Sequence, residues 1–259
     1  MNLGIKGKRV LITGGSRGIG AAVARDFAQE GCKVSIVSRD EESLKEKVRE
    51  IGGPAKGHDY IVSNLRDKGE PSRVAKELIA KHKKVDIVVH NVGGGLAQKD
   101  PLGKVEDWTM VWQFNVGIAI EMNALLVPQM KKQGWGRVFH VSSITAELGD
   151  PSMESLGGSL PYAAAKAYLN AYIKGLGREL AKYNVVVTGV MPGVVPSKGK
   201  HWDKVKKEKP ELVDEFLNLY YPIGRFGSAD EISPFVILLA SDKASFAAGS
   251  IIPVSGGRV

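Results

Sequence analysis

Short apolar runs alternate with stretches of helical periodicity along the whole chain. Arg9 to Thr13 (Arg-Val-Leu-Ile-Thr) has the length and composition of a strand buried on both faces. Comparable runs at Lys33 to Val37, Tyr60 to Leu65, Val85 to His90, Gly136 to Ser143, Val185 to Val190 and Ser250 to Val254 bring the expected total to about seven strands. Helical patterns lie between them at Ala21 to Glu30, Glu41 to Glu50, Glu70 to Lys83, Val105 to Lys132, Tyr162 to about Tyr183, and Asp230 to Ser241. Gly52-Gly53-Pro54 ends one of these, and Pro71 falls in the first turn of another. Strands alternating with helices, without linker or repeat, predict a single α/β domain over 1–259. Right-handed crossovers then give a doubly wound parallel sheet covered on both faces. Ser197 to Tyr221 reads as an insertion with short helices.

Composition adds exclusions. The chain has 259 residues, 43% apolar and 25% charged, as in ordinary globular proteins with a sizeable core. No uninterrupted apolar run approaches the roughly 18 residues of a membrane span. Met1 to Lys8 lacks the apolar core of a signal peptide, so a cytoplasmic protein is expected. Cys32 is the only cysteine, and His58, His82, His90, His140 and His201 show no ligand spacing. Neither a disulfide nor a metal site is expected. The net charge of +8 is scattered, apart from Lys198, Lys200, Lys204, Lys206, Lys207 and Lys209. These read as a solvated helix face or as a patch for an acidic partner. Nucleic-acid recognition motifs are lacking, as is a basic stripe interleaved with aromatics.

Candidate chemistry begins at Thr13 to Gly20, Thr-Gly-Gly-Ser-Arg-Gly-Ile-Gly, between the first strand and the first helix. Glycines there let a pyrophosphate approach a helix N-terminus, where free N–H groups and the dipole favour negative charge. The second strand runs into Ser38-Arg39-Asp40. An arginine there, with Arg17 in reach, favours the 2′-phosphate of NADP(H) over NAD(H), and Asp40 reads as a cap for the next helix. Asn91 to Gly95 follows the fourth strand, at the carboxyl edge where open α/β sheets bind ligands. Asn115 sits within a helical stretch, either exposed or bending it toward the site. Tyr162 and Lys166 are four apart and share a helix face. At about 4 Å and an effective dielectric of about 20, one charge is worth on the order of 4 kcal/mol, or about three pKa units on the phenol. That would suit proton exchange with an alcohol.

In this order the residues resemble the short-chain dehydrogenase/reductase family over essentially the whole chain, and within it the 3-oxoacyl-[acyl-carrier-protein] reductases. The family's Thr-Gly-x-x-x-Gly-x-Gly is matched by Thr13, Gly14, Gly18 and Gly20, and its Asn-Asn-Ala-Gly by His90-Asn91-Val92-Gly93. The resemblance implies a Rossmann-like sheet and a tetrad. Tyr162 would be the general acid or base, Ser143 would bind the substrate oxygen, Lys166 would lower the tyrosine pKa and hold ribose hydroxyls, and Asn115 would hold a water. Ser143 is preferred to Ser142, since alternation sends the two to opposite sides. Cofactor contacts are implied at Gly14, Ser16, Arg17, Gly18, Ile19 and Gly20 in the first turn, and at Ser38 and Arg39 after the second strand. Further contacts are implied at Asn64, Leu65, Asn91 and Gly93, at Tyr162 and Lys166, and at Pro192, Gly193, Val195 and Ser197. No metal is implied.

Departures mark where specificity lies. Asn64 replaces the usual aspartate near adenine, and His90 the first asparagine; His140 reads as a satisfied core histidine. The stretch from Ser143 to Tyr162 is longer than in many bacterial members. Its extra residues, around Asp150 to Leu160, are expected at the substrate mouth, beside a substrate lid at about 194–221. The implied function is NADP(H)-dependent hydride transfer to or from a carbonyl or secondary alcohol, with a 3-oxoacyl thioester as one substrate class and an acidic carrier as one partner. Alternatives are a sugar or polyol dehydrogenase, or a non-catalytic NADP-binding protein. A homotetramer or homodimer is expected, with Ala163 to Ala165, Ala167, Gly175 and Gly177 allowing close helix packing.

Overall fold

The computed structural model describes residues 1–149, 159–197, 199 and 201–258. Its centre is one parallel sheet of order β3-β2-β1-β4-β5-β6-β7. The strands are β1 (Arg9–Thr13), β2 (Lys33–Ser38), β3 (Asp59–Val62), β4 (Ile87–His90), β5 (Gly136–Val141), β6 (Val185–Pro192) and β7 (Ile251–Val254). The expected seven strands are all present. β3 and β5 stop earlier than the apolar runs suggest, so Asn64, Leu65, Ser142 and Ser143 lie in the turns beyond them.

Alternation along the strands feeds two cores. Val10 and Ile12 point to one face, with Val23 and Phe27 of α1 (Gly18–Gln29), Leu44 of α2 (Glu41–Glu50) and Val236 of α10 (Ala229–Leu239). Leu11 and Val88 point to the other, with Leu78 of α3 (Glu70–His82), Met122 and Leu126 of α5 (Ile118–Gln133), and Leu169 and Ile173 of α7 (Leu160–Leu180). Each such side chain, fully buried, contributes roughly 1.5–3 kcal/mol. The apolar stretch Val105–Gln133 is long enough to cross a membrane by length and composition, which the search for uninterrupted runs misses. Much of it is instead buried in the second core.

That stretch is not one regular helix. α4 (Val105–Trp112) leads into a π-helical turn, Gln113–Gly117, before α5. The extra residue swings Asn115 inward, where it is 4% exposed. α1 starts earlier than its composition suggests, at Gly18, because the glycine turn feeds directly into it. Beyond β5 a short helix, α6 (Thr145–Leu148), follows. The segment expected to carry short helices forms α8 (His201–Glu208) and α9 (Pro210–Tyr220). Trp202, Phe216, Tyr220, Tyr221 and Phe226 give it a small aromatic core of its own. Lys204, Lys206, Lys207 and Lys209 are exposed on a solvated face, while Lys198, Lys200 and 150–158 lie outside the described residues.

One packing expectation is corrected. Ala163, Ala165 and Gly177 are buried in the chain's own interior, so they offer no surface to a second copy. A Cβ on Gly177 would sit 2.5 Å from the Gly249 nitrogen, which explains the glycine.

Candidate active site

Strand order reverses between β1 and β4, which opens a crevice at their carboxyl ends. Two turns meet there. The Thr13 hydroxyl accepts from the Asn91 and Val92 N–H groups at 2.9 and 3.2 Å, and Asn91 Nδ2 donates to the carbonyls of Thr13 and Gly14 at 3.0 and 3.2 Å. Gly14 and Gly18 have φ of +68° and +52°. A Cβ on Gly20 would come within 2.7 Å of Asn91 Nδ2, so Gly20 packs beneath the turn and does not line the cleft. α1 begins with no side-chain cap and no acidic residue in its first turn. Its N–H groups and positive end are left for an anion.

This crevice has a volume of about 580 Å³. Gly14, Ser16, Arg17, Gly18 and Ile19 line it at one end, Ser38, Arg39, Asn64 and Leu65 along the side, and Asn91, Gly93, Val195 and Ser197 at the other. Pro192 is set back at the end of β6, its carbonyl accepting from the Ile144 N–H at 3.1 Å. Gly193 lines the neighbouring cavity. The sequence reading missed Arg66 and Phe114, although Arg66 follows Leu65 directly and offers a third arginine at the rim. Asp40 caps α2 as expected, accepting from the Ser43 N–H at 3.0 Å. Its other carboxylate oxygen takes Arg17 Nη2 at 2.7 Å. The hydrogen bonds from Ser43 and the Arg17 charge hold the Asp40 carboxyl below its ordinary pKa.

A second cavity, of about 610 Å³, adjoins the first, and the two share Gly93, Leu96 and Val195. Ser143 and Tyr162 line it. Ser159 caps α7 by accepting from the Tyr162 N–H, and Pro161 follows the cap in the first turn, so Tyr162 stands at the electropositive end of its helix. Ser143 Oγ accepts from Thr145 Oγ1 at 2.9 Å, which leaves its own proton for the Tyr162 oxygen. Ser142 faces the other way, donating to Asn170 Oδ1 at 2.6 Å.

Burial raises the Tyr162 phenol above its ordinary value, and the Ser143 hydrogen bond offsets only part of that. Here the expectation from spacing fails. Lys166 does face the same way, its Nζ lying 5.6 Å from the tyrosine ring centroid. The amine is drawn back, however, donating to the Val141 carbonyl at 2.8 Å. Burial also lowers the Lys166 pKa to about 7. Without a full charge close to the phenolic oxygen, desolvation dominates the tyrosine.

Asn115 clamps the loop between the cavities. Its Nδ2 donates to the Gly94 and Val111 carbonyls at 2.9 and 2.8 Å, and its Oδ1 accepts from the Gly94 N–H at 3.0 Å. A Cβ on Gly93 would lie 2.6 Å from Asn115 Oδ1 and 3.1 Å from Lys166 Nζ. Gly93 thus keeps open the space above the lysine. Behind the site His140 is buried, and neither ring nitrogen has a hydrogen-bond partner among the described residues, contrary to expectation. The register pairs it with His90, whose ring stacks on it at 4.8 Å. His90 Nε2 meets Asn123 Oδ1 at 2.8 Å, and burial lowers both histidines below their ordinary pKa.

The family model described as short chain dehydrogenase matches residues 8–208. The chain belongs to this family. A 3-oxoacyl-[acyl-carrier-protein] reductase of Thermotoga maritima is 33% identical over 98% of this chain and 99% of its own. The L-sorbose reductase of Gluconobacter frateurii, solved with NADPH and L-sorbose, matches with a TM-score of 0.88 and 28% identity over 100% of this chain and 98% of that one. A 3-oxoacyl (acyl-carrier-protein) reductase from Agrobacterium tumefaciens, solved with NADP, also has a TM-score of 0.88 and 28% identity, over 98% and 95% of the two chains. In this short chain dehydrogenase, then, the two adjoining cavities hold every residue of the expected tetrad in their walls or directly behind them.

Proposed function

We propose that this short chain dehydrogenase transfers a hydride between NADP(H) and a carbonyl or secondary alcohol. The observation that carries the reading is the junction at Gly93, Leu96 and Val195, where a dinucleotide-sized cleft opens onto the Ser143–Tyr162 pair. The residues present fit the cofactor. The glycine turn and the uncapped start of α1 suit a pyrophosphate. Arg17, Arg39 and Arg66 line the cleft against a single carboxylate among the described lining residues, Asp40, which is engaged by Arg17 and Ser43. That balance suits a 2′-phosphate better than the 2′-hydroxyl of NAD(H).

When bound, the nicotinamide donates or accepts the hydride. The protein's own part is proton transfer and positioning. Tyr162 gives its phenolic proton to the oxygen that gains charge in reduction, and takes it back in oxidation. Ser143, its lone pairs occupied by Thr145, donates to the same oxygen. Lys166, beneath Gly93, would hold the ribose hydroxyls. The Asn115 amide is taken up by Gly94 and Val111, which favours a positioning role for its side chain over holding a water. Segment 194–221 would act as a substrate lid, a reading supported by the aromatic cluster that its described residues form with Phe226. The family resemblance extends to a homotetramer or homodimer, for which exposed Ala164, Ala167, Tyr168 and Gly175 offer one strip of α7.

Two substrate pools follow from the relatives' names, 3-oxoacyl thioesters and sugars or polyols. A panel of both, followed by NADPH consumption, is expected to give turnover with at least one member. Binding of NADPH without turnover of any would leave only a cofactor-binding protein. Arg39→Asp is expected to weaken NADPH binding about 10- to 100-fold, the value of one or two charge-assisted hydrogen bonds, and NADH binding far less. Equal losses by fluorescence titration would remove the assignment of the second cofactor phosphate to this rim.

A further inference from the structure

One hydroxyl joins the wall of the second cavity to the helix that carries Tyr162. Ser159 Oγ accepts from the Tyr162 N–H at 3.3 Å, as the cap of α7. The same oxygen donates its proton to the Gln98 carbonyl. Both directions are forced, since an amide N–H can only donate and a carbonyl can only accept, and one hydroxyl serves both at once. The packing is close. A Cβ on Gly95 would lie 3.2 Å from Ser159 Cβ and 3.7 Å from Tyr162 Cβ, so a glycine at 95 lets the loop sit directly on the cap.

That loop needs holding. Leu96 and Ala97 have φ of +53° and +62°, a left-handed conformation that costs energy in residues with a Cβ. Such a pair persists where its flanks are fixed. On one side Asn115 grips the N–H and carbonyl of Gly94, at 3.0 and 2.9 Å. On the other side the Gln98 N–H donates to the Gly95 carbonyl at 2.9 Å, and the Gln98 carbonyl takes Ser159. Between the two clamps, Leu96 lines both the cleft beside the glycine turn and the second cavity. We propose that Ser159 is a positioning residue, which latches this loop to the Tyr162 helix and so fixes the junction at which the two cavities meet. This rests on the reductase reading above and adds to it a residue that acts through Leu96 and Tyr162. A helix cap alone would account for the bond from Tyr162, but not for the bond to Gln98 or for the glycine at 95. With the latch closed, a single oxygen ties the wall beside a bound carbonyl to the group that gives it a proton.

Cap and latch can be separated in the full-length enzyme, because a cap needs only an acceptor and the latch needs a proton to give. Ser159→Asp keeps an acceptor for the Tyr162 N–H, and Asp caps helices as well as Ser does, but it has no proton for the Gln98 carbonyl. Ser159→Asn has the same size as Asp and keeps both acceptor and donor, while Ser159→Ala keeps neither. Hydrogen exchange on the ligand-free enzyme reads the latch directly. In Ser159→Asp, peptides covering 93–99 should exchange about 2- to 10-fold faster, the net worth of one hydrogen bond, with a melting temperature close to wild type. NADPH affinity, by fluorescence titration, should weaken by a similar factor, because the loop must be re-formed on binding. Reduction at neutral pH should lose more, about 10²-fold in kcat, as a displacement of about 1 Å at a reacting centre can cause. The Tyr162 phenol is already protonated there, and an added carboxylate only favours that form, so the loss is not a titration effect. Ser159→Asn should recover most of the exchange protection and the rate, and Ser159→Ala should show the loosened loop together with a lower melting temperature. If Ser159→Ala does not fold, the Asp and Asn pair decides. Unchanged exchange in Ser159→Asp would overturn the latch, as would an Asn variant as impaired as Asp. Faster exchange with kcat intact would overturn the positioning role. All three results leave the reductase reading standing. No NADPH oxidation by the wild type with any carbonyl would overturn that reading, and the positioning role with it, whatever the exchange shows.

Discussion

Tyr162→Phe is expected to lower kcat by about 10²- to 10⁴-fold with any carbonyl the enzyme reduces, the range that positioned proton transfer supplies. NADPH binding should change little, because Tyr162 lines the second cavity and not the cleft beside the glycine turn. The pH dependence tells this loss from simple mispacking. Reduction needs the protonated phenol. Burial raises Tyr162 above its ordinary value of 10.0, so the required form predominates throughout the neutral range. The reduction rate should therefore show no loss attributable to Tyr162 until alkaline pH, while oxidation, which needs the phenolate, should climb with pH over the same range. In Tyr162→Phe the alkaline climb of the oxidation rate should vanish. A variant that kept the climb at reduced amplitude would mean that another group handles the proton.

Ser143→Ala would not reproduce this pattern. Its loss removes a donor to the substrate oxygen and the hydrogen bond that partly offsets the raised tyrosine pKa, so its alkaline climb should persist, displaced upward.

What the sequence discloses about this site follows from range. Strand runs, the Asp40 cap and the glycine turn are local, set by residues within a few positions of one another, and they form where the pattern puts them, apart from the early ends of β3 and β5. The expected tetrad comes from the order of motifs along the chain, through the family resemblance and not through local pattern. The π-turn at Gln113–Gly117 is different. No residue type marks it, and Asn115 finds its partners only when Gly94 arrives from the end of β4. The His90–His140 stack likewise depends on the register of β4 against β5. Arg258 lines the second cavity after two positive-φ glycines, Gly256 and Gly257, that pack against Tyr221, Pro222 and Ile223. The tyrosine pKa departs from the spacing argument because spacing fixes which face Lys166 occupies but not what its amine binds. The Val141 carbonyl, on a strand beneath, takes it.

That carbonyl and the burial of the amine make Lys166→Met the most informative variant for separating stability from function. Lys166 is lowered from 10.5 to about 7 by burial. The unfolded chain therefore binds more protons than the folded one between those values, and stability rises with pH across the window. Below pH 7 the penalty is complete, on the order of 3 to 5 kcal/mol for a shift of this size. Methionine has similar length and no charge, so it removes that penalty. It also strands the Val141 carbonyl, at a cost of about 1–3 kcal/mol. At pH 6 the first effect wins, and the ligand-free variant should melt several degrees above wild type, at about 2–4 °C per kcal/mol for a chain of this size. Near pH 10 the penalty has almost gone, and the stranded carbonyl should leave the variant the less stable of the two. A melting-temperature difference that stays constant between pH 6 and 10 would show that the buried amine is not the cause. Activity should fall at every pH, against the stability gain at pH 6 and together with the stability loss near pH 10. The space at Gly93 loses the Lys166 amine, which on the proposed mechanism would hold the ribose, and kcat/KM should drop by about 10²-fold or more, as when a well-placed clamp on a reactant is lost. A single buried amine would then set both the stability the fold forgoes near neutral pH and the chemistry for which it is kept.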